Sequence, residues 1–429
     1  MPTQQIYWHT TVQMPDDSNL TPIPEKVDVA IIGGGYTGLS AARILAKSDL
    51  KVAVLEANTL GWGASSRNGG MVLTGLKLDM QTVMKKYGRE IAKRLFQCSL
   101  ESIDVVESIV QEEAIDCGFA RTGHLLAANK PRHYDALQEE VEFMAKEFNH
   151  PVRLISRDYQ WTELRTDIYH GALLDECSGG LNPAQYVAGL ARAAERAGAG
   201  LHGRARVTRL ERRRGAGDFL VETERGSLNA DFVLIATSGY TGSATKKLQK
   251  KIIPIGSFII ATERLSDELV KELIPNNRMI FDYKHYLNYF RLWDNRLIFG
   301  GRAAFFPETS NTIQRSAEIL RREMVQVYPQ LKDVQVEYVW GGTLDFAFDM
   351  MIHVGEMDGI YYSLGYAGHG VAMATYSGKT VAEAMLQGTI KEHPFNLFPF
   401  PAAPFGLYNG FPWFLPFAGA WHKILDWVE

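Results

Sequence analysis

Val27-Asp28-Val29-Ala30-Ile31-Ile32-Gly33-Gly34-Gly35-Tyr36-Thr37-Gly38, followed by Val52-Ala53-Val54-Leu55-Glu56, is the stretch that decides the fold of this chain. The apolar run reads as a buried strand that ends at a glycine. Gly33, Gly35 and Gly38 then allow a tight turn, close backbone approach to a pyrophosphate, and close packing of helix on strand. Tyr36 and Thr37 open the helix, whose sheet-facing side is supplied by Ala41, Ala42, Ile44, Leu45 and Ala46. Its free N–H groups and positive dipole end suit phosphate. Glu56, at the end of the second strand, is placed to accept from ribose hydroxyls and repels a 2′-phosphate, which argues against NADP. A glycine turn alone is weak evidence. Strand, turn, helix, second strand and acid in order read as a dinucleotide-binding βαβ unit, without separating FAD from NAD.

Composition bounds the rest. The 429 residues suffice for two or three domains, and the net charge of −4, with no basic block to track a phosphate backbone, excludes nucleic acid as a partner. Cys98, Cys117 and Cys177 are odd in number and far apart, with no CxxC or Cys/His spacing. That pattern predicts no disulfide framework, no metal site and a reducing compartment. Residues 1–24 lack the basic and apolar regions of a secretory signal, so the expected location is cytoplasmic.

Further along, Gly61-Trp62-Gly63-Ala64-Ser65-Ser66-Arg67-Asn68-Gly69-Gly70 is too glycine-rich for helix or strand and predicts a loop whose backbone something approaches closely. Helical patterns run over 79–113 and 132–148, with a strand over 120–127 between them. Asn182-Pro183 reads as an N-cap and first helical residue of a helix to Ala197. Alternation over 205–212, 219–224 and 228–237 predicts a β-meander. Strands return over 252–305, including a hairpin turning at Asp294-Asn295, followed by a helix over 312–328 and a strand over 334–340. Nucleotide-type signals then reappear in Ile360 to Leu364, the run Gly365-Tyr366-Ala367-Gly368-His369-Gly370, and a helix over 371–386.

The segment from Pro394 to Trp421 carries no Asp, Glu, Lys or Arg, yet Pro394, Pro399, Pro401, Pro404, Pro412 and Pro416 forbid a continuous helix. A transmembrane span is therefore rejected, because irregular backbone cannot face lipid. Two readings stand. Either its aromatics dock on the body, or Phe411, Trp413, Phe414 and Phe417 make peripheral contact with a membrane interface. Trp421, Ile424, Leu425 and Val428 fall at the spacing of a short amphipathic helix.

With these motifs in order, the chain resembles the D-amino-acid oxidase-like (DAO) family of FAD-dependent amine oxidoreductases over nearly its whole length. Arg67-Asn68-Gly69-Gly70, the N-terminal Tyr7-Trp8 and the run Tyr408 to Pro416 are most similar to the γ-glutamylputrescine oxidoreductase branch. The resemblance implies an α/β fold: a Rossmann-like FAD-binding domain (GR2 type) with an inserted α+β substrate domain built on a mostly antiparallel sheet. The expected division gives 1–80, 151–248 and 341–394 to the FAD-binding domain and 81–150 and 249–340 to the substrate domain, with 395–429 as a tail docked on the body. It further implies that the opening turn holds the pyrophosphate and Glu56 the ribose. Ser65, Ser66, Arg67, Asn68, Gly69 and Gly70 would pass beside the flavin ring. Val207 would meet the adenine, and Gly365, Gly368, His369 and Gly370 would bring a helix start to the pyrimidine and ribityl chain.

On the chemistry, a helix start near flavin N1 stabilises the negative charge that develops there on reduction. His369 either contributes to that or is a spacer bonded to backbone. Tyr289, Arg291 and Arg302 lie on the predicted hairpin, where one arginine is placed to clamp a substrate carboxylate or both sit on solvated faces. The expected catalytic set is Tyr289, Arg302 and His369. No cysteine lies beyond Cys177 to tether the cofactor, so FAD is expected to bind non-covalently. Leu297-Ile298-Phe299-Gly300 lacks the lysine some members use for oxygen activation. The expected reaction is oxidation of an amine to an imine, with oxygen as acceptor. The rivals are an amino-acid dehydrogenase passing electrons to a membrane quinone and a flavin-binding subunit without turnover.

Overall fold

A computed structural model of the chain describes residues 2–15, 21–213, 217–284, 286–304 (backbone alone at 302–304), 309–403, 406 and 408–414. The helix expected around Trp421 to Val428, and Phe417 with it, lie outside the described residues.

Strand Lys26–Ile32 stands at the centre of the first sheet, paired in parallel with Val52–Leu55 on one side and Gly226–Ile235 on the other. The order runs His353–Met357, Ile360–Leu364, Gly226–Ile235, Lys26–Ile32, Val52–Leu55, Gly200–His202, with the meander strands Phe219–Thr223 and Val207–Arg212 attached to Gly226–Ile235. Toward their C-terminal ends its central strands are covered on both faces and continuously apolar: Val54, Val233, Leu234 and Ile235 have no exposed surface. Helix Tyr36–Ala46 follows the glycine turn at once. A Cβ on Gly38 would lie 2.0 Å from the Gly33 carbonyl oxygen, so only glycine lets the helix return this close to the strand it left. Asn182 caps helix Pro183–Arg196 as its sequence predicts, accepting from the N–H groups of Ala184 and Gln185.

The second sheet is ordered Val336–Ala347, Ile252–Thr262, Arg296–Ala304, Tyr289–Trp293, Met279–Asp282, His124–Ala127, Gly171–Asp175, Arg153–Ser156. Every pair is antiparallel except Met279–Asp282 with His124–Ala127. Asp294 and Asn295 carry φ of 50° and 57°, so the predicted hairpin turns through two left-handed residues of the kind Asp and Asn tolerate. The fold is thus a Rossmann-like sheet with a second, mostly antiparallel sheet inserted.

The elements divide between the two sheets differently from the expected boundaries. Arg153–Ser156 and Gly171–Asp175, assigned to the nucleotide-binding part, form the far edge of the second sheet. Helix Arg89–Glu112, assigned to the substrate part, buries Leu95, Ile103 and Val106 in one core with Leu39, Leu190 and Val381. Strand Val336–Ala347 belongs to the second sheet along its whole length, past the boundary expected at 341. An amphipathic pattern shows that a helix has a buried face but not which sheet covers it. The helical pattern over 79–113 is broken at Gly88, where φ is 89°.

Candidate functional site

The glycine turn, the 61–70 loop and the start of helix Gly370–Gln387 converge on a cleft of ≈ 960 Å³. Of the residues singled out from sequence, Gly33, Gly35, Tyr36, Thr37, Glu56, Ser65, Asn68, Val207, Gly368 and Gly370 line it. Gly38, Ser66, Arg67, Gly69, Gly70, Gly365 and His369 are not among the lining residues but lie within two positions in sequence of residues that are.

At the turn, the Tyr36 N–H donates to Ser65 Oγ at 3.0 Å, tying the helix start to the loop. The Thr37 hydroxyl lies 2.7 Å from the Tyr366 hydroxyl, itself 2.7 Å from Ser363 Oγ. The Glu56 carboxylate accepts from Gly34 N–H at 2.8 Å through one oxygen and from Asn58 N–H at 2.9 Å through the other. Each oxygen keeps a second lone pair for a hydroxyl donor. Burial pushes its carboxyl above the usual range, and those amides pull it back.

The 61–70 loop is braced from behind. The Trp8 indole N–H donates to the Asn68 carbonyl at 2.9 Å, and that of Trp340 to the Arg67 carbonyl at 2.8 Å. His9 Nε2 and Ser66 Oγ are 2.8 Å apart. Arg67 donates to the carbonyls of Trp62 and Gly341 and stacks 4.3 Å above the Trp62 ring. Ser66 and Arg67 are thus not themselves among the residues lining the cleft, and their side chains bond to His9, Trp62 and Gly341, with Trp62 in the cleft wall. The Asn68 carboxamide donates to the carbonyls of Ala64 and Ser65 and accepts from the Gly70 N–H at 2.7 Å. With the carbonyls of Arg67 and Asn68 held by indoles, the trans peptides aim the amides of Asn68 and Gly69 the opposite way. Among the described residues neither amide has a protein partner.

Opposite this loop, Asp345 receives the Gly365 N–H at 2.7 Å and the Tyr366 N–H at 3.2 Å, fixing the run that leads to Gly370. Burial raises its carboxyl to about 6 against those bonds. Asp345 lies beyond the strand expected over 334–340, so the sequence reading does not single it out. The alternation of Thr343 and Asp345 with Leu344 and Phe346 was the available signal. The tail segment Asn409 to Pro412 also lines the cleft, anchored by the Tyr408 hydroxyl on the Ile252 carbonyl at 2.7 Å. Phe411 and Trp413 are more than half exposed there.

The hairpin residues separate. Arg291 is buried, and its Nη1 donates to the carbonyls of Gly70 at 2.9 Å and Leu181 at 3.0 Å. It therefore holds the loop rather than reaching a substrate. A Cβ on Gly70 would sit 2.1 Å from the Leu181 carbonyl oxygen, and its φ of +70° is one that side chains rarely adopt. Arg302 lies on strand Arg296–Ala304, with its side chain outside the described residues. The Tyr289 ring lies between Gly69 and Gly300, its hydroxyl 3.2 Å from Ser257 Oγ, and burial raises that hydroxyl to about 12. His369 precedes helix Gly370–Gln387; its Nδ1 is buried without a partner among the described residues, and burial pushes the ring down to about 3.

Against the expectation of no metal, the ligand atoms of His150, Asp175 and Cys177 lie within 4.8 Å of one another. Two of the three are already engaged with each other: Asp175 takes the His150 ring at 3.1 Å, and also the Thr74 hydroxyl and the Cys177 N–H. Among the described residues, no helix is long and apolar enough to cross a membrane.

The DAO family pattern, described as FAD dependent oxidoreductase, matches residues 28–384. The γ-glutamylputrescine oxidoreductase of Escherichia coli K12 is 33% identical over 380 residues, covering 87% of this chain and 88% of the relative. A probable oxidoreductase OrdL of Rhizobium meliloti is 35% identical over 390 residues, covering 90% and 89%. In fold, the chain is similar to the crystal structure of glycine oxidase from Geobacillus kaustophilus, with a TM-score of 0.74 at 20% identity, covering 89% of this chain and 99% of that one.

Proposed function

The chain belongs to the DAO family of FAD-dependent oxidoreductases, and from that premise we propose that it oxidises an amine at the carbon next to nitrogen, with a γ-glutamylated or free polyamine as substrate and oxygen as acceptor. The observation that carries this is the convergence of two helix starts and the backbone of the 61–70 loop on one cleft. Its residues suit FAD. Helix Tyr36–Ala46 would take the pyrophosphate, Glu56 the ribose, Val207 the adenine side, and the amides of Asn68 and Gly69 the ring edge. When bound, FAD supplies the two-electron acceptor for C–H oxidation beside nitrogen.

The chain's own groups orient and desolvate. The start of helix Gly370–Gln387 supplies positive potential by its dipole. His369 stays neutral at pH 7 and adds no charge of its own. The Tyr289 hydroxyl also stays neutral, so it donates a hydrogen bond and does not serve as a base. The amine must therefore arrive as its free base, with its C–H held in line. The imine product then hydrolyses to a carbonyl compound.

The test is anaerobic bleaching of the holoenzyme's flavin absorbance by γ-glutamylputrescine, putrescine and amino acids, followed by air. Bleaching by the polyamines with rapid return in air supports the reading. Bleaching without return replaces oxygen by another acceptor, for which exposed Phe411 and Trp413 beside the cleft offer a docking surface. Absence of bleaching by any amine overturns it.

A further inference from the structure

At the far edge of the second sheet, two neighbouring strands bring three ligand-type side chains to one corner. Arg153–Ser156 and Gly171–Asp175 run antiparallel with Arg153 opposite Leu174, so the residues entering the first strand meet those leaving the second. His150 stands just before the one, Asp175 ends the other, and Cys177 follows in the turn. The Cys177 N–H donates to Asp175 Oδ1 at 2.9 Å, folding the turn back on its own carboxylate, while Asp175 Oδ2 faces His150 Nε2 at 3.1 Å. The Phe96 ring packs edge-on against the imidazole, 5.1 Å away, and holds it in place. His150 and Asp175 are buried, and Cys177 is half-buried, which leaves one side of the corner open for exchange with solvent.

Imidazole, carboxylate and thiolate together are the donor set of a zinc-type cation, whereas magnesium and calcium take oxygens. Bonds of about 2.0–2.1 Å to nitrogen or oxygen and about 2.3 Å to sulfur, at tetrahedral angles, put ligand atoms about 3.3–3.6 Å apart. The His150–Asp175 separation of 3.1 Å is close to that spacing, and no two of the three ligand atoms are more than 4.8 Å apart. The remaining adjustment falls to Cys177, the least buried of the three. Charge balances as well: one carboxylate and one thiolate offset a divalent cation, with the imidazole neutral. Arg121, whose Nη1 reaches the Cys177 carbonyl, is itself offset by Asp104 and Glu107.

We propose that His150, Asp175 and Cys177 form a binding site for a zinc-type divalent cation, with water in the fourth position. The cation takes the place of the proton shared by His150 and Asp175 and of the Cys177 thiol proton, both of which leave to solvent. The corner also clasps the chain that leaves the 61–70 loop. Met71–Val72 pairs with Gly179–Gly180, the Thr74 N–H donates to Ser178 Oγ at 3.2 Å, and the Thr74 hydroxyl donates to Asp175. A bound cation therefore fastens the loop exit to the edge of the second sheet.

The test uses the FAD-loaded full chain, freed of metal by a chelator and dialysed to equilibrium against Zn²⁺. One Zn²⁺ per chain is expected, with a Kd of about 10 μM or tighter. Co²⁺ in its place should give a thiolate-to-cobalt band in the near-ultraviolet difference spectrum. Cys177→Ala is expected to weaken zinc about tenfold or more, to abolish that band and to remove the rise in thermal midpoint that zinc gives the wild type. A measurement on the unaltered protein stands beside these should Cys177→Ala not fold: zinc is expected to slow alkylation of Cys177 by iodoacetamide about tenfold, read by peptide mass, because the bound thiolate is no longer a free nucleophile. Absence of stoichiometric zinc, zinc bound equally well by Cys177→Ala, or zinc that leaves the alkylation of Cys177 unchanged would each overturn the assignment; the last two place the cation elsewhere.

Discussion

The cofactor side of the site and the facing side of the second sheet are built by opposite rules. Behind the 61–70 loop the scaffold side chains are engaged: Trp8, Trp340 and Arg291 each hold a loop carbonyl, and Asn68 bridges the loop to itself. On the facing side of the second sheet, His124 Nε2 and His369 Nδ1 are buried without a hydrogen-bond partner among the described residues. A permanent cofactor rewards a rigid, pre-satisfied seat, whereas an exchanging substrate needs polar groups left for it to complete. The contrast teaches that the two sides are told apart by which side chains remain unsatisfied.

Four substitutions would break or sharpen this contrast. The largest effect is expected at Gly38→Val, where the new side chain collides with the Gly33 carbonyl. A cost of about 3 kcal/mol or more should leave protein that is insoluble or carries no flavin, read as flavin per chain after purification. Retained flavin at wild-type stability would mean that helix and strand do not meet this closely.

Arg291→Met comes next. It strands the Gly70 and Leu181 carbonyls and should lower unfolding free energy by about 2–4 kcal/mol in urea, with the KM of the folded fraction unchanged. A raised KM at unchanged stability would instead make Arg291 a substrate clamp and erase the contrast.

Asp345→Asn probes the cofactor side through pH. Burial raises the folded carboxyl to about 6 from an ordinary 3.8, so the folded state binds the proton more tightly than the unfolded chain. The stability this group contributes is present below about pH 4 and is lost as pH rises through 6. Removing the carboxyl should therefore shift the stability difference between variant and wild type by about 2–3 kcal/mol in the variant's favour between pH 4 and 7, measured by denaturant midpoints. A flat difference would show a carboxylate already ionised at the acid end.

The smallest effect belongs to Trp8→Phe, which keeps an aromatic ring but removes the pyrrole half of the indole and with it the hydrogen bond to the Asn68 carbonyl. About 1 kcal/mol is expected, seen as a several-fold faster release of flavin on dilution, with the KM for the amine unaltered. Equal weakening of both would show that the two sides are one mechanical unit.

The glycine turn, its helix, the acid at Glu56 and the hairpin at Asp294-Asn295 were legible because each rests on short-range geometry: a period, a cap, a left-handed turn. The partners that Ser66 and Arg67 take were not, since a small-residue loop carries no period. Arg291 reads from sequence as a strand residue open to a substrate; only the approach of Gly70 and Leu181, distant in the chain, makes it a brace.

Sequence by itself determined that this chain builds a nucleotide-binding sheet with a second sheet inserted, because local patterns of apolar residues and glycines admit few other solutions. Only the tertiary structure decided that Arg153–Ser156 joins the second sheet and Arg89–Glu112 the first core, and that the rings of His124, Tyr289 and His369 gather around Phe281. Those outcomes depend on which distant surfaces bury one another, and burial is a property of the whole chain rather than of any window in it.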